Sequence, residues 1–211
     1  MAEEPDTLRE PPHPLVAALA EALPAGSRVL LVGVGRGRHI PPLIEASLRV
    51  DVVEEDAGRA PAAAERFAGE PRVRVARAGY AGPMPFAPDY DGAVSTHALL
   101  HGSPSTIAAS LAAIGDRMRS GALFHLTLGA IRDPRYGGGV MLGDATWAAE
   151  SGPEIGVPHA FFDENAARAL LSGWNILSLD ERSAAETAGR WAHSPAETAT
   201  IVHWFARLKR R

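Results

Sequence analysis

The chain has no cysteine, and of its 21 basic residues only Lys209 is a lysine. Without cysteine there are no disulfides, no thiolate metal ligands and no cysteine nucleophile, and the redox compartment stays open. No run of about 18 apolar residues and no apolar leader segment is present, so neither membrane insertion nor secretion is expected. A cytoplasmic location is the default. Positive charge is also scarce: the formal net charge is −4, and basic residues cluster only at Arg207 to Arg211. That pattern argues against nucleic acid as a partner. No carboxylate pair or nucleophile triad stands out to nominate hydrolytic chemistry. What remains is ample for one core, with 211 residues of which 46% are hydrophobic.

The most informative stretch runs from Arg28 to Asp56. Val29-Leu30-Leu31-Val32 has the length and character of a buried parallel strand. Gly33, Gly35 and Gly37 follow at alternate positions, then a helix-compatible segment with Leu43, Ile44 and Leu48 able to share a face. A second strand, Val50 to Val53, ends in Glu54, Glu55 and Asp56. Strand, glycine turn, helix, strand and acid form the βαβ arrangement that holds nucleotide-like ligands. Glycines let the backbone turn tightly and approach a ligand without a Cβ between them. Carboxylates at the second strand's end accept hydrogen bonds from ribose hydroxyls. The dinucleotide fingerprint G-x-G-x-x-G fails because its third glycine would be Arg38, and no lysine is near for a Walker A loop.

The G-x-G-x-G turn, with an acid ending the second strand, resembles motif I of the class I S-adenosylmethionine-dependent methyltransferases. Glu54 follows Gly33 at the family's spacing, and the resemblance implies that it binds the ribose diol. Leu31 departs from the pattern, since the family often has an acid two residues before the first glycine. The resemblance implies a cofactor site of Gly33, Val34, Gly35, Gly37, Glu54, Glu55, Gly79, Tyr80, Ser95 and Thr96. Tyr80 stands where the family commonly has an acid for the adenine amino group; its ring either stacks on adenine or fills a loop. The implied cofactor is S-adenosylmethionine, with S-adenosylhomocysteine as product.

Along the rest of the chain, residues 1–14 are polar and proline-rich and are expected to form a flexible arm. Residues 15–211 are then one methyltransferase-like domain. Leu15 to Leu23 reads as a helix, Ala57 to Gly69 as another, and Arg72 to Ala76 as a strand with Arg72 and Arg74 turned from the core. Gly92 to Ser95 reads as strand four. Ser103-Pro104 starts a helix carrying Ile107, Leu111, Ile114 and Met118, and Ala122 to Leu128 is strand five. Asp163 caps a helix to Ser172. Trp174 to Leu179 is strand six, and a polar connection with Trp191 and His193 leads to a last strand, Ala199 to Leu208. The expected fold is α/β: a Rossmann-like, seven-stranded, mostly parallel sheet with helices on both faces and a C-terminal antiparallel hairpin.

Thr96 to His101 lies at the carboxyl end of strand four, where open α/β sheets bind ligands. His97 and His101 are four apart and could share a helical face. With no carboxylate at a recognisable spacing, two histidines do not indicate a metal, and none is expected. His125, inside strand five, reads as structural. The glycine-rich segment Gly129 to Pro158 is long for a simple connection and reads either as a binding loop or as a solvated one. Its Asp133-Pro134-Arg135-Tyr136-Gly137, with Pro158-His159-x-Phe161-Phe162, loosely resembles methyltransferases of the tellurite-resistance and thiopurine groups. Candidate substrate contacts are His97, His101, Arg135, Tyr136 and His159, with no catalytic residue singled out. The expected activity is methyl transfer to a small-molecule acceptor by in-line displacement. A non-catalytic S-adenosylmethionine-binding or scaffold protein is the alternative, and Leu31 and Tyr80 support it. A Rossmann oxidoreductase is disfavoured by Arg38 and the closing hairpin. The residues do not distinguish monomer from homodimer.

Overall fold

The computed structural model describes residues 11–152, 154–183 and 201–211. Most of the expected N-terminal arm, and Trp191 and His193, lie outside those residues. Within the arm's expected bounds, however, His13 and Pro14 belong to the fold. Helix α1 runs Pro14–Ala22, and His13 caps it by accepting the Leu15 N–H on Nδ1 at 3.2 Å. Then come β1 (Arg28–Val32), α2 (Ile40–Glu45), β2 (Arg49–Glu54), α3 (Arg59–Arg66), β3 (Val73–Arg77), β4 (Tyr90–Ser95), α4 (Pro104–Gly115) and β5 (Met118–Ala130). The chain continues with β6 (Val140–Gly143), β7 (Thr146–Ala148), β8 (Pro158–Phe162), α5 (Glu164–Leu170), β9 (Asn175–Ser183) and β10 (Val202–Lys209).

Strands β3, β2, β1, β4 and β5 lie side by side and parallel in that order. β10 runs antiparallel between β5 and β9, so the expected seven strands and closing hairpin are present. Alternation along β1 splits the core between two faces. Val29 and Leu31 pack with Val16 and Leu19 of α1 and Ile40 and Leu43 of α2. Leu30 and Val32 face the other way, with Ile107, Leu111 and Ile114 of α4 and Ala167 of α5. A run of apolar residues is what a strand buried on both sides requires. Among the described residues no helix is long and apolar enough to cross a membrane.

The segment 129–158 is not simply a loop. It contains the antiparallel strands β6 and β7, and β7 continues into β8. Gly129 and Ala130 of β5 pair with Phe161 and Phe162 of β8, while Gly129 also pairs with His203 of β10. β8 therefore takes up the β5 edge just beyond the end of β4, which pairs no further than Leu126. Three extra strands thus rise from the carboxyl end of the sheet, where a ligand cleft lies in this class of fold.

Candidate functional site

Parallel strands β1, β2 and β4 deliver their carboxyl ends to one edge. After β1 the backbone turns through Gly33, Gly35 and Gly37, with φ of +83°, +52° and +85°. At Gly33 a Cβ would lie 2.6 Å from the Ala98 Cβ, so only glycine fits there. At Gly35 nothing lies within 4 Å of such an atom, which leaves bare backbone facing open space. Beneath this turn Glu54 is buried and holds the loop: Val34 N–H donates to its Oε2 at 2.8 Å and Asp56 N–H to its Oε1 at 3.0 Å. The Tyr80 hydroxyl approaches Oε1 at 3.4 Å, and Tyr80 N–H donates to Glu55 Oε1 at 2.8 Å beside Gly79. Burial, then the nearby Glu54 and Glu55 charges, push the Tyr80 hydroxyl far above its ordinary range, so it stays a donor. Ser95 Oγ, fully buried at the end of β4, has no hydrogen-bond partner among the described residues, while Thr96 Oγ1 is 3.0 Å from His39 Nε2.

Beyond the glycine turn lies a series of histidines. His97 does not share a helical face with His101; it sits in a turn at φ +63°, a left-handed conformation that a side chain adopts only under constraint. Its N–H donates to Thr127 Oγ1 at 2.8 Å. Its ring packs 5.3 Å from His13 and 4.9 Å from His203. Burial, with neighbouring positive groups, lowers the imidazoles of His13 to about 2 and of His39 and His203 to about 3, and that of His97 well below its ordinary value. The group is therefore neutral at pH 7. His125 stands apart: its Nδ1–H donates to the Leu15 carbonyl at 2.9 Å, a packing role that ties β5 to α1.

A second cluster lines a cavity of about 340 Å³ bounded in part by Arg135, Trp147, Glu154, His159 and Phe161. Arg135 donates from Nε and Nη2 to buried Asp133, each at 2.9 Å, and from Nη1 to Glu154 Oε2 at 3.2 Å. Arg135 Nη2 also lies 3.2 Å from His203 Nε2, which joins the two clusters. His101 and His159 meet at 4.7 Å and both face Glu154. Burial would raise the Glu154 carboxyl, but the His101 and His159 rings aimed at it outweigh that and hold it far below the carboxylate range. Tyr136, 43% exposed, packs on Trp147 at 4.6 Å beside the cavity.

No protein-family model matches the sequence, and no curated protein matches it. Solved structures do. A S-adenosylmethionine-dependent methyltransferase of Methanosarcina mazei superposes with a TM-score of 0.71 at 13% identity, over 92% of this chain and 96% of that one. The Burkholderia thailandensis 1,6-didemethyltoxoflavin-N1-methyltransferase, solved with 1,6-didemethyltoxoflavin and S-adenosylhomocysteine, gives 0.67 at 19% identity over 97% and 78%. TehB of Haemophilus influenzae gives 0.61 at 16% identity over 93% and 61%. The chain has the fold of the S-adenosylmethionine-dependent methyltransferases. Within that fold, His101, Arg135 and His159 come together, Tyr136 stands at the cavity rim, and His97 lies with a separate histidine group. Four participants escaped the sequence: His13, His39, His203 and Glu154. Alternation along the last strand marked one side for His203, and the dipeptide His13-Pro14 before an apolar stripe was a helix-start signal. Glu154 carried no local signal.

Proposed function

We propose that the chain is a methyltransferase that binds S-adenosylmethionine over the Gly33–Gly37 turn and methylates a small-molecule acceptor held beyond β4. The observation that carries this reading is the open backbone at Gly35 directly above buried Glu54. The donor set fits the cofactor: an ionised carboxylate offers about four lone-pair sites, and Glu54 spends three of them on Val34, Asp56 and Tyr80. A ribose diol needs two, so the Tyr80 hydroxyl must yield its place. Gly79 and Tyr80 border the adenine side in this reading, and Ser95 and Thr96 the methyl-donor side.

When bound, the cofactor supplies an electrophilic sulfonium methyl, so the protein has mainly to align the acceptor and exclude water. Neutral His97, His13 and His203 are weak bases, because burial opposes their protonation. They present ring faces and hydrogen bonds to the acceptor rather than take its proton. The Burkholderia thailandensis methyltransferase, solved with bound 1,6-didemethyltoxoflavin, supports a small-molecule substrate for the cavity side. The contacts proposed there are His101, Arg135, Tyr136 and His159, with His97 between cavity and cofactor.

Isothermal titration with S-adenosylmethionine and S-adenosylhomocysteine, with NADH as control, tests the reading. Micromolar binding of the first two, lost in Gly35→Asp and weakened in Glu54→Ala, is expected. The second reading, a methyltransferase fold without catalysis, is favoured by one contact, the Tyr80 hydroxyl on Glu54. It takes the lead if cofactor binds but no acceptor in a screen of thiols, amines and phenols is methylated.

A further inference from the structure

His101, Glu154 and His159 come from three parts of the chain: the turn after β4, the segment between β7 and β8, and β8 itself. Their ligand-capable atoms nevertheless all lie within 4.8 Å of one another. Backbone pairing between His101 and His159 fixes the two histidines opposite each other. His159 Nδ1 is 2.9 Å from the Val157 carbonyl oxygen, which can only accept, so Nδ1 carries a proton. In the neutral ring Nε2 is then a bare lone pair. That nitrogen faces Glu154 Oε2 at 3.2 Å, and His101 Nε2 faces Oε1 at 3.6 Å. Both nitrogens are buried, and neither makes a hydrogen bond of good geometry among the described residues.

A lone pair against a carboxylate oxygen repels unless a proton or a metal cation lies between them, and two imidazole nitrogens converging on one carboxylate within 4.8 Å suit a shared metal as well as two separate protons. Arg135 reaches Glu154 with one nitrogen only, and its other contacts are spent on Asp133 and His203. We propose that His101, Glu154 and His159 bind a divalent transition-metal ion of the zinc type. Two imidazoles and one carboxylate are a donor set for such ions, and a backbone carbonyl on the outer nitrogen of a ligand ring is the usual second contact. The 3.2 and 3.6 Å separations bracket the edge of a tetrahedral shell, about 3.3 Å for bonds of about 2.0–2.1 Å. Three protein ligands leave a position open, as in zinc sites that act on a substrate. Glu154 and His159 line the cavity, so that position faces it. The ligand it takes there is an anionic oxygen or sulfur of a small molecule.

The site stands independently of the cofactor reading, and its test does too. Chelator-stripped full-length protein is titrated with zinc chloride by calorimetry, and separately with cobalt(II) while the visible spectrum is recorded. One zinc per chain at micromolar or tighter affinity is expected, with the strong visible bands of a tetrahedral cobalt site. Glu154→Gln and His101→Asn, each checked for folding by thermal melt, should weaken zinc binding by more than about 100-fold, the upper end of what an outer-contact loss costs. Absence of one-to-one binding in the wild type overturns the proposal. So does wild-type affinity in both folded variants, which would put the metal elsewhere. S-adenosylmethionine titration of the stripped protein reads the glycine cleft by itself.

Discussion

Single residues in the glycine turn have separable jobs. Gly33 is fixed by its surroundings, since any side chain meets the Ala98 Cβ at 2.6 Å and must adopt φ +83°. Gly35 has the space but not the dihedral freedom, at φ +52° with nothing nearby. Gly33→Ala is therefore expected to lower the melting temperature substantially. Gly35→Asp, which suits the left-handed region better than most residues, should cost about 1 kcal/mol or less and abolish cofactor binding. A thermal melt beside a titration separates the two, and equal loss of stability in both variants would contradict this assignment. Tyr80 gives a sharper test. Its hydroxyl occupies a lone pair of Glu54, so Tyr80→Phe should tighten S-adenosylmethionine binding by up to about tenfold, one hydrogen bond's worth. Weaker binding in Tyr80→Phe would mean that the hydroxyl serves the cofactor instead. The glycines were readable in the sequence because a positive φ is a local demand. Tyr80's contact with Glu54 was not, because it joins positions 26 apart.

Elements β1 to β4 are pinned by one buried acid. Asp51 on β2 accepts from Arg28 Nη2 on β1 at 2.9 Å, from Arg74 on β3 at 2.7 Å through both Nε and Nη2, and from the Tyr90 hydroxyl on β4 at 2.8 Å. Burial alone would raise its carboxyl, but the hydrogen bonds from Arg74, Tyr90 and Arg28 outweigh that and keep it low and charged. Removing the acid leaves Tyr90 without its acceptor and the two partly exposed arginines without their counter-charge, and Asp51→Ala should cost about 1.5–3 kcal/mol, measured by denaturant unfolding. A loss below about 1 kcal/mol would show that the arginines simply turn to solvent. Strands and helices were legible at this scale because hydrophobic alternation and caps are local signals, as Ser103-Pro104 and Asp163 illustrate. The β6–β8 meander was not. β6 is exposed along its length, so no alternation marks it, and its glycines read equally as loop.

Acid sensitivity belongs to the whole molecule, because the buried histidines reach the same region from different elements. His13 caps α1, His39 precedes α2, His97 follows β4 and His203 lies in β10. Each is held neutral in the fold, with its imidazole lowered from an ordinary value of 6.5, to about 2 for His13 and about 3 for His39 and His203. In the unfolded chain they protonate near 6.5. Below that pH the unfolded state binds more protons than the folded one, so stability is complete above about 6.5 and falls as pH drops toward 3. One histidine contributes up to about 1.4 kcal/mol for each pH unit in that window. Four would amount to about 11 kcal/mol over two units, comparable with the whole stability of a domain, though mutual repulsion and partial opening reduce the sum. Urea unfolding at pH 7.5, 6.5, 5.5 and 4.5 should show little change over the first step and a steep loss over the next two. His203→Gln should flatten the slope below pH 6.5 by about one proton while leaving the plateau above it. A curve already steep above pH 7, or one unchanged by His203→Gln, would mean that the histidines are open to solvent and that the cleft between cofactor and cavity is wet.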